Sequence, residues 1–298
     1  MRSGIVAVVG RPNVGKSTLV NSLVGRKVSI TSASPQTTRN TVRGVVTLPA
    51  GGDPQFQVVL VDTPGLHKPR NALGERLNAL VYGTLADADA VVFMIDATAP
   101  IGPGDRLIAA RLNEASAAVI VAVNKTDVAS RGQVAAQLAT AGHWGFEAYV
   151  PVSALRGVGL DVLVEEVCDR LPEGPLYFPP DAATDQPDEV LAGEIVREKY
   201  LARLREELPH SLAVVVREME QRPNGTLYVD AAVVVERASQ KGIVIGKGGG
   251  MLRSVGAEAR TELESIFGVP VYLDMRVRVE RDWQRKPQLV DRILKSEV

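Results

Sequence analysis

The sequence of 298 residues holds a single cysteine, Cys168, so no intramolecular disulfide can form, and a cysteine-based metal site is argued against as well. Cys168 lies in "LDVLVEEVCDRL", a stretch with the pattern of an amphipathic helix, which suits a reducing cytoplasm. No apolar run approaches the length of a membrane span, and the opening "MRSGIVAVVG" lacks the apolar core and small-residue cleavage site of a signal peptide. The expectation is a cytoplasmic protein without a transmembrane segment; if it meets a membrane, it does so peripherally, at the cytoplasmic face. Net charge is also close to nil at −1, so no global field draws the molecule to nucleic acid or anionic lipid. Any polyanion site must be local.

What is present is enough apolar material for two cores, 45% of the chain. From residue 4 to about 171, short apolar runs ("GIVAVV", "FQVVLV", "AVVFMI", "AVIVAV") alternate with helical patterns such as "GDRLIAARLNEA". Strands this continuously apolar are buried on both faces, which predicts a mostly parallel sheet with helices on both faces over residues 1–171. The stretch "LPEGPLYFPPDAATDQPDE" contains five prolines and sustains neither periodicity, so residues 172–189 read as a linker. Residues 190–298 change pattern to the order α-β-β-α-α-β, an α+β unit, with "RPNG" as the hairpin turn.

Two glycine loops carry the chemistry. "GRPNVGKS", residues 10–17, follows a predicted strand and opens a predicted helix, the context of a phosphate-binding loop. Gly10, Asn13, Val14, Gly15, Lys16, Ser17 and Thr18 supply the nucleotide-binding loop. Its backbone N–H groups can curl around the α- and β-phosphates, Lys16 can reach the β- and γ-phosphates, and the Ser17 hydroxyl can bind Mg²⁺. "VDTPG" then places Asp62 at a strand's carboxyl end, where it can hold Mg²⁺ through a water, with the Gly65 N–H as a γ-phosphate sensor. "NKTD" supplies a base pocket. Asp127 can accept from the N1–H and exocyclic amine of guanine, neither of which adenine offers there; Asn124 can contact the base edge and Lys125 cover its plane. "VSAL" adds Ser153, Ala154 and Leu155, with the Ala154 N–H aimed at guanine O6. Four motifs in this order specify a guanine nucleotide.

Together these residues resemble the small GTPase superfamily, in its bacterial assembly-factor branch. The resemblance makes "SPQTTRNTVRG" the effector loop and Thr38 the residue that reaches Mg²⁺ and the γ-phosphate, with Thr37 as its close competitor. Lys16, Thr38 and Gly65 then form the catalytic set, and Ser17, Thr38 and Asp62 the metal set. The residue after the DxxG motif is Leu66, where many GTPases carry a water-orienting glutamine, so slow turnover is expected without an activator. Some relatives hold a potassium ion with an asparagine at the place of Asn13, which makes K⁺ a second expected cofactor. His67 is more simply a polar loop residue.

The second loop, in "GIVIGKGGGMLRS", has no lysine-serine pair and resembles the GxxG loop of a type II KH domain, here Gly246, Lys247, Gly248 and Gly249. The resemblance implies a clamp on the backbone of about four unpaired nucleotides, beside an apolar groove that includes Ile245. Lys241, Lys247 and Arg253 add local positive charge, and Arg276, Arg278 and Trp283 in "MRVRVERDWQRKP" are further expected RNA contacts. A GTPase domain, a proline-rich linker and a type II KH domain are the architecture of the Era family, which the sequence resembles over nearly its whole length, most specifically in "SQKGIVIGKGG". Membership implies a GTP-hydrolysing switch that binds the single-stranded 3′ end of small-subunit rRNA and acts in maturation of the small ribosomal subunit. An RNA-binding assembly scaffold, with GTP as a structural ligand, is the alternative that Leu66 keeps open.

Overall fold

The computed structural model describes residues 1–32, 37–66, 69 and 71–294. The chain divides into two compact units, one of residues 1–29, 38–68 and 76–185, the other of residues 30–37, 69–75 and 186–298.

The N-terminal unit is built on a six-stranded sheet. In chain order the elements are β1 (Arg2–Gly10), α1 (Lys16–Val24), β2 (Val42–Leu48), β3 (Phe56–Asp62), α2 (Ala72–Asp87), β4 (Ala90–Asp96), α3 (Pro103–Leu112), β5 (Ala118–Asn124), α4 (Arg131–Ala141), β6 (Ala148–Pro151) and α5 (Leu160–Arg170). Strand order is β2-β3-β1-β4-β5-β6, with β2 antiparallel to β3 and every other pair parallel. Strand side chains alternate between two cores. Val6, Val8, Val92 and Ile120 pack with Leu19 of α1 and Leu163 of α5, while Ala7, Val9, Phe93 and Val121 pack with Ile108 and Leu112 of α3. Burial on both faces explains the unbroken apolar runs. The parallel strands all end at one edge of the sheet, and that edge gathers every nucleotide motif.

Residues 172–185 belong to this unit. Gln57, fully buried on β3, accepts from the N–H groups of Tyr177 and Phe178 and donates to the Phe178 carbonyl. The Val45 N–H of edge strand β2 donates to the Ala183 carbonyl at 2.8 Å, beside an antiparallel bridge between Gly44 and Thr184. The prolines forbid a helix here, yet the backbone between them pairs as an extended segment.

The C-terminal unit contains α6 (Asp188–Leu201), α7 (Leu208–Ser211), β7 (Ala213–Gln221), β8 (Leu227–Val235), α8 (Ala238–Ile245), α9 (Gly250–Phe267), β9 (Val271–Val279) and α10 (Pro287–Leu294). Its sheet order is β7-β8-β9, with β7 antiparallel and β9 parallel to β8. One face carries Val229, Val233, Val271 and Val277 into a core with Val196 and Tyr200 of α6, Val244 of α8 and Val255 of α9. Ile30 joins that core, the Thr31 N–H donates to Glu198 Oε1 at 2.8 Å, and the buried Arg197 guanidinium donates to the Thr37 carbonyl.

Candidate functional site

The phosphate loop leaves β1 at Gly10 and enters α1 at Lys16. Gly15 takes a φ of 104°, and a Cβ there would overlap Asn124 Nδ2, so the loop closes tightly on the neighbouring strand end only with glycine. Asn13 also has positive φ, at 64°, a conformation that asparagine tolerates best among residues with a side chain. Val14 is buried and Thr18 half-buried in the first turn of α1. Lys16 is buried, with Nζ donating to the carbonyls of Gly10 at 3.2 Å and Arg11 at 3.0 Å. Burial pushes its ammonium pKa down to about 8, against the opposing pull of the Asp62 charge.

The three expected metal-binding residues converge. Asp62, fully buried at the end of β3, accepts at Oδ2 from the Ser17 hydroxyl at 2.6 Å and from Thr38 Oγ1 at 3.4 Å. Ser17 Oγ and Thr38 Oγ1 lie 3.1 Å apart. Of the two candidate threonines, Thr38 brings its hydroxyl to this cluster. Asp62 Oδ1 is buried without a hydrogen-bond partner among the described residues. Burial raises the Asp62 pKa, opposed by the hydrogen bond from Ser17, the Lys16 charge and the hydrogen bonds from Ser29 and Thr38. Gly65 lies against Pro12 of the phosphate loop, where a Cβ would come within 2.9 Å of the Pro12 nitrogen. Leu66 turns its side chain to the apolar core on the α3 side of the sheet. His67 lies outside the described residues.

At the base-pocket end, Asp127 is exposed, and its Oδ1 accepts from the Ser153 hydroxyl at 2.6 Å. Lys125, with φ of 71°, pairs with Asp96 Oδ2 at 2.5 Å. Burial would raise the Asp96 pKa, but the bonds from Lys125 and Thr98 outweigh it and hold the carboxyl below its ordinary range. Asn124 has a structural task that the sequence does not suggest. It is 3% exposed, donates to the Val14 carbonyl at 2.8 Å and accepts the Ala154 N–H at 2.9 Å. Each end of its amide makes one bond inside the protein, half of what it can make, so it joins the two loops, and the Ala154 N–H expected to meet guanine O6 donates to it here. Leu155 is 70% exposed at the rim.

In the C-terminal unit the second glycine loop links α8 to α9. Gly246 (φ 74°, ψ 168°) ends α8, Lys247–Gly249 form one 3-10 turn, and Gly248 and Gly249 both have positive φ. A Cβ on Gly246 would come within 2.8 Å of the Met251 backbone nitrogen. Lys241, Lys247 and Arg253 are exposed around the loop, Ile245 is half-buried, and Arg253 donates to the Gly248 carbonyl at 2.8 Å. The expected contacts on β9 lie elsewhere. Arg276 and Arg278 alternate with Val277, whose side chain enters the helix-packed core, so both point from the opposite face of the sheet, and Arg276 pairs with Asp274 at 2.7 Å. Trp283 is wholly buried, with Nε1 donating to the Ser211 carbonyl at 2.9 Å, and cannot stack on a nucleobase. Its indole fills the core because its polar atom has a carbonyl to meet there.

One residue absent from every motif reaches the metal cluster: Ser29 is 3% exposed and donates to Asp62 Oδ2 at 2.7 Å. Nothing in "KVSIT" distinguishes it from an ordinary loop serine.

The sequence model described as a 50S ribosome-binding GTPase matches residues 5–125, and a KH domain model matches residues 207–284. The chain is 49% identical to GTPase Era of Mycobacterium tuberculosis (strain ATCC 25618 / H37Rv) over 298 residues, 98% of both chains, and to that of Mycolicibacterium smegmatis to the same extent. Among solved structures, Aquifex aeolicus Era bound to GDP·AlF4⁻ matches with a TM-score of 0.93 at 40% identity, covering both chains completely. A structure of Era with MgGDPNP and nucleotides 1506–1542 of 16S ribosomal RNA matches with the same score and coverage. With the phosphate loop, the hydroxyl–carboxylate cluster, the base-pocket aspartate and the glycine clamp all in place across a full-length match, the chain belongs to the Era family of GTPases.

Proposed function

We propose that the chain is a GTP-driven switch that binds the 3′ region of 16S rRNA in the cytoplasm and acts in assembly of the small ribosomal subunit. The observation that carries the nucleotide half is the convergence of Ser17, Thr38 and Asp62 beside buried Lys16, with one carboxylate oxygen left unpartnered. Few oxygen donors with room for water suit Mg²⁺, which dehydrates reluctantly, and Ser17, Thr38 and Asp62 are the residues that would hold it. When bound, Mg²⁺ would neutralise charge on the β- and γ-phosphate oxygens. The loop amides from Asn13 to Thr18 hold the α- and β-phosphates at the start of α1, and Lys16 shares the β- and γ-phosphates. Thr38 and the Gly65 N–H detect the γ-phosphate. Water attacks the γ-phosphorus, the bond to the β–γ bridging oxygen breaks, and GDP, phosphate and a proton leave. Asp127, steadied by Ser153, accepts both guanine donors while Lys125 covers the base.

Leu66 has no group to orient that water; Asn13 is the residue that would hold a K⁺ ion, which would balance charge on the phosphates. At saturating Mg²⁺, turnover in KCl should exceed that in NaCl by at least about tenfold and lose the difference in Asn13→Ala; equal rates would remove potassium from the reading.

RNA binds at Gly246, Lys247, Gly248 and Gly249, where the three glycines admit a sugar-phosphate backbone, with Lys241, Lys247 and Arg253 supplying charge and Ile245 an apolar floor. Support for the identity of the RNA comes from the related Era protein solved with 16S rRNA nucleotides. Affinity for a labelled single strand copying that region should be at least about tenfold tighter with a non-hydrolysable GTP analogue than with GDP, and should be lost in Gly248→Asp. Equal affinity in both states would leave an RNA-binding GTPase without the switch. No binding at all would remove the RNA reading.

A further inference from the structure

Asp62 Oδ2 lies within 2.6 Å of the Ser17 hydroxyl and 2.7 Å of the Ser29 hydroxyl, with the Thr38 hydroxyl more distant at 3.4 Å. A carboxylate oxygen has two good acceptor directions, and the two serines fill them. Ser17 and Thr38 belong to the expected metal set, so their oxygens have a second partner to serve; Ser29 does not. The Ser29 backbone is itself held at both its N–H and its carbonyl by one residue, which also takes the N–H before it. Asn21 Oδ1 accepts the N–H groups of Val28 and Ser29, both at 2.9 Å, and Asn21 Nδ2 donates to the Ser29 carbonyl at 2.7 Å. Asn21 lies on α1, the helix whose first turn carries Ser17, so one rigid element presents both hydroxyls to the same carboxylate oxygen.

We infer that Ser29, clamped by Asn21, is a positioning residue that fixes the rotamer of Asp62 and keeps Oδ1 available for the hydration shell of a bound divalent cation. The inference rests on the magnesium reading above. Without Ser29, Oδ2 keeps only hydroxyls that also serve the cation, and the carboxylate is held less firmly about its χ2 axis. The consequence falls on cation affinity and leaves the phosphate loop's own hold on the nucleotide untouched.

The test is release of fluorescent mant-GDP from the full chain across a series of free Mg²⁺ concentrations, with unfolding midpoints as a control for folding. In Ser29→Ala the Mg²⁺ concentration that half-slows release should rise about tenfold, the scale of one hydrogen bond to a charged group, while release in EDTA stays within about twofold of the unsubstituted chain. Ser29→Thr, which restores the hydroxyl, should lie within about threefold of the unsubstituted chain, and Asn21→Ala should shift in the same direction as Ser29→Ala. Should Ser29→Ala fail to fold, Ser29→Cys, of similar size and poorer donor strength, carries the same comparison. An unshifted Mg²⁺ curve in Ser29→Ala overturns the inference. So do equal shifts in the Ala and Thr variants, which would point to packing, and a matching acceleration in EDTA, which would point to general loosening. An unsubstituted chain whose release ignores Mg²⁺ overturns the magnesium reading and this one with it.

Discussion

Asn124 donates from Nδ2 to the Val14 carbonyl at 2.8 Å, fastening the end of β5 to the middle of the phosphate loop. The same side chain accepts the Ala154 N–H, so three loops from three strand ends meet on one amide. Asn124→Ala would leave a buried carbonyl and a buried N–H unpaired, a loss of about 3 kcal/mol. Affinity for GDP should fall by at least about tenfold, because the phosphate loop loses its tie to the end of β5. Titration with a fluorescent nucleotide checks this, and an unchanged affinity would mean that the loops keep their places without it.

Base selection should follow Asp127. Its Oδ1 is anchored by Ser153 at 2.6 Å, which fixes the orientation of an otherwise exposed carboxylate. Asp127→Asn turns one acceptor into a donor, which opposes the exocyclic amine of guanine and matches the C2 carbonyl of xanthine. GTP affinity should drop by about 10³-fold or more and XTP affinity should rise, as competition binding would show.

Much of this site is legible in the sequence because each nucleotide motif is contiguous and sits at a strand end that its apolar run announces. Lys16, Ser17, Asp62 and Asp127 are of that kind. What escapes is made by tertiary contact. β2 is an edge strand with Arg43 and Gly44 inside it, so it lacks the unbroken apolar run of its neighbours. Ser29 reaches Asp62 across 33 residues and carries no local signal. Trp283 fails in the other direction, since an aromatic among arginines suggests a stacking surface, yet the indole has a carbonyl partner in the core. Arg276 and Arg278 show how strand alternation assigns a face that a basic run alone does not.

The glycines of the second loop are not equivalent. Gly246 lies at φ 74° and ψ 168°, a region essentially closed to side chains, and its Cβ would strike the Met251 backbone. Gly250 has helical angles at the start of α9, with open space around it. Gly246→Ala should destabilise the C-terminal unit by about 2 kcal/mol and weaken RNA binding. Gly250→Ala should stabilise it by about 0.5 kcal/mol. Thermal unfolding distinguishes the pair, and a neutral Gly246→Ala would contradict the geometry.

Cys168 should be inert in the folded chain. It is 5% exposed, and burial, then the neighbouring Asp169 charge, pushes its thiol from an ordinary 9.0 up to about 11. At pH 8 its reaction with an aromatic disulfide reagent should be at least about a hundredfold slower than in urea. The raised pKa sets a sign as well. Between pH 9 and 11 the unfolded chain loses this proton first, so the contribution is complete below 9 and declines as pH rises through that window. Folded-state reactivity matching that in urea would mean that the end of α5 opens readily.

The pairing of Ala183 and Thr184 with β2 also determines where the chain can be cut. A fragment ending at Leu171, where the last helix of the unit has closed, would bare the outer rim of β2 and strip Gln57 of its three backbone partners. A bared rim of that kind recruits the next extended segment it meets, in another copy as readily as in its own chain. A fragment that runs on to Asp185 keeps that rim covered, with Ala183 and Thr184 as a selvedge along β2.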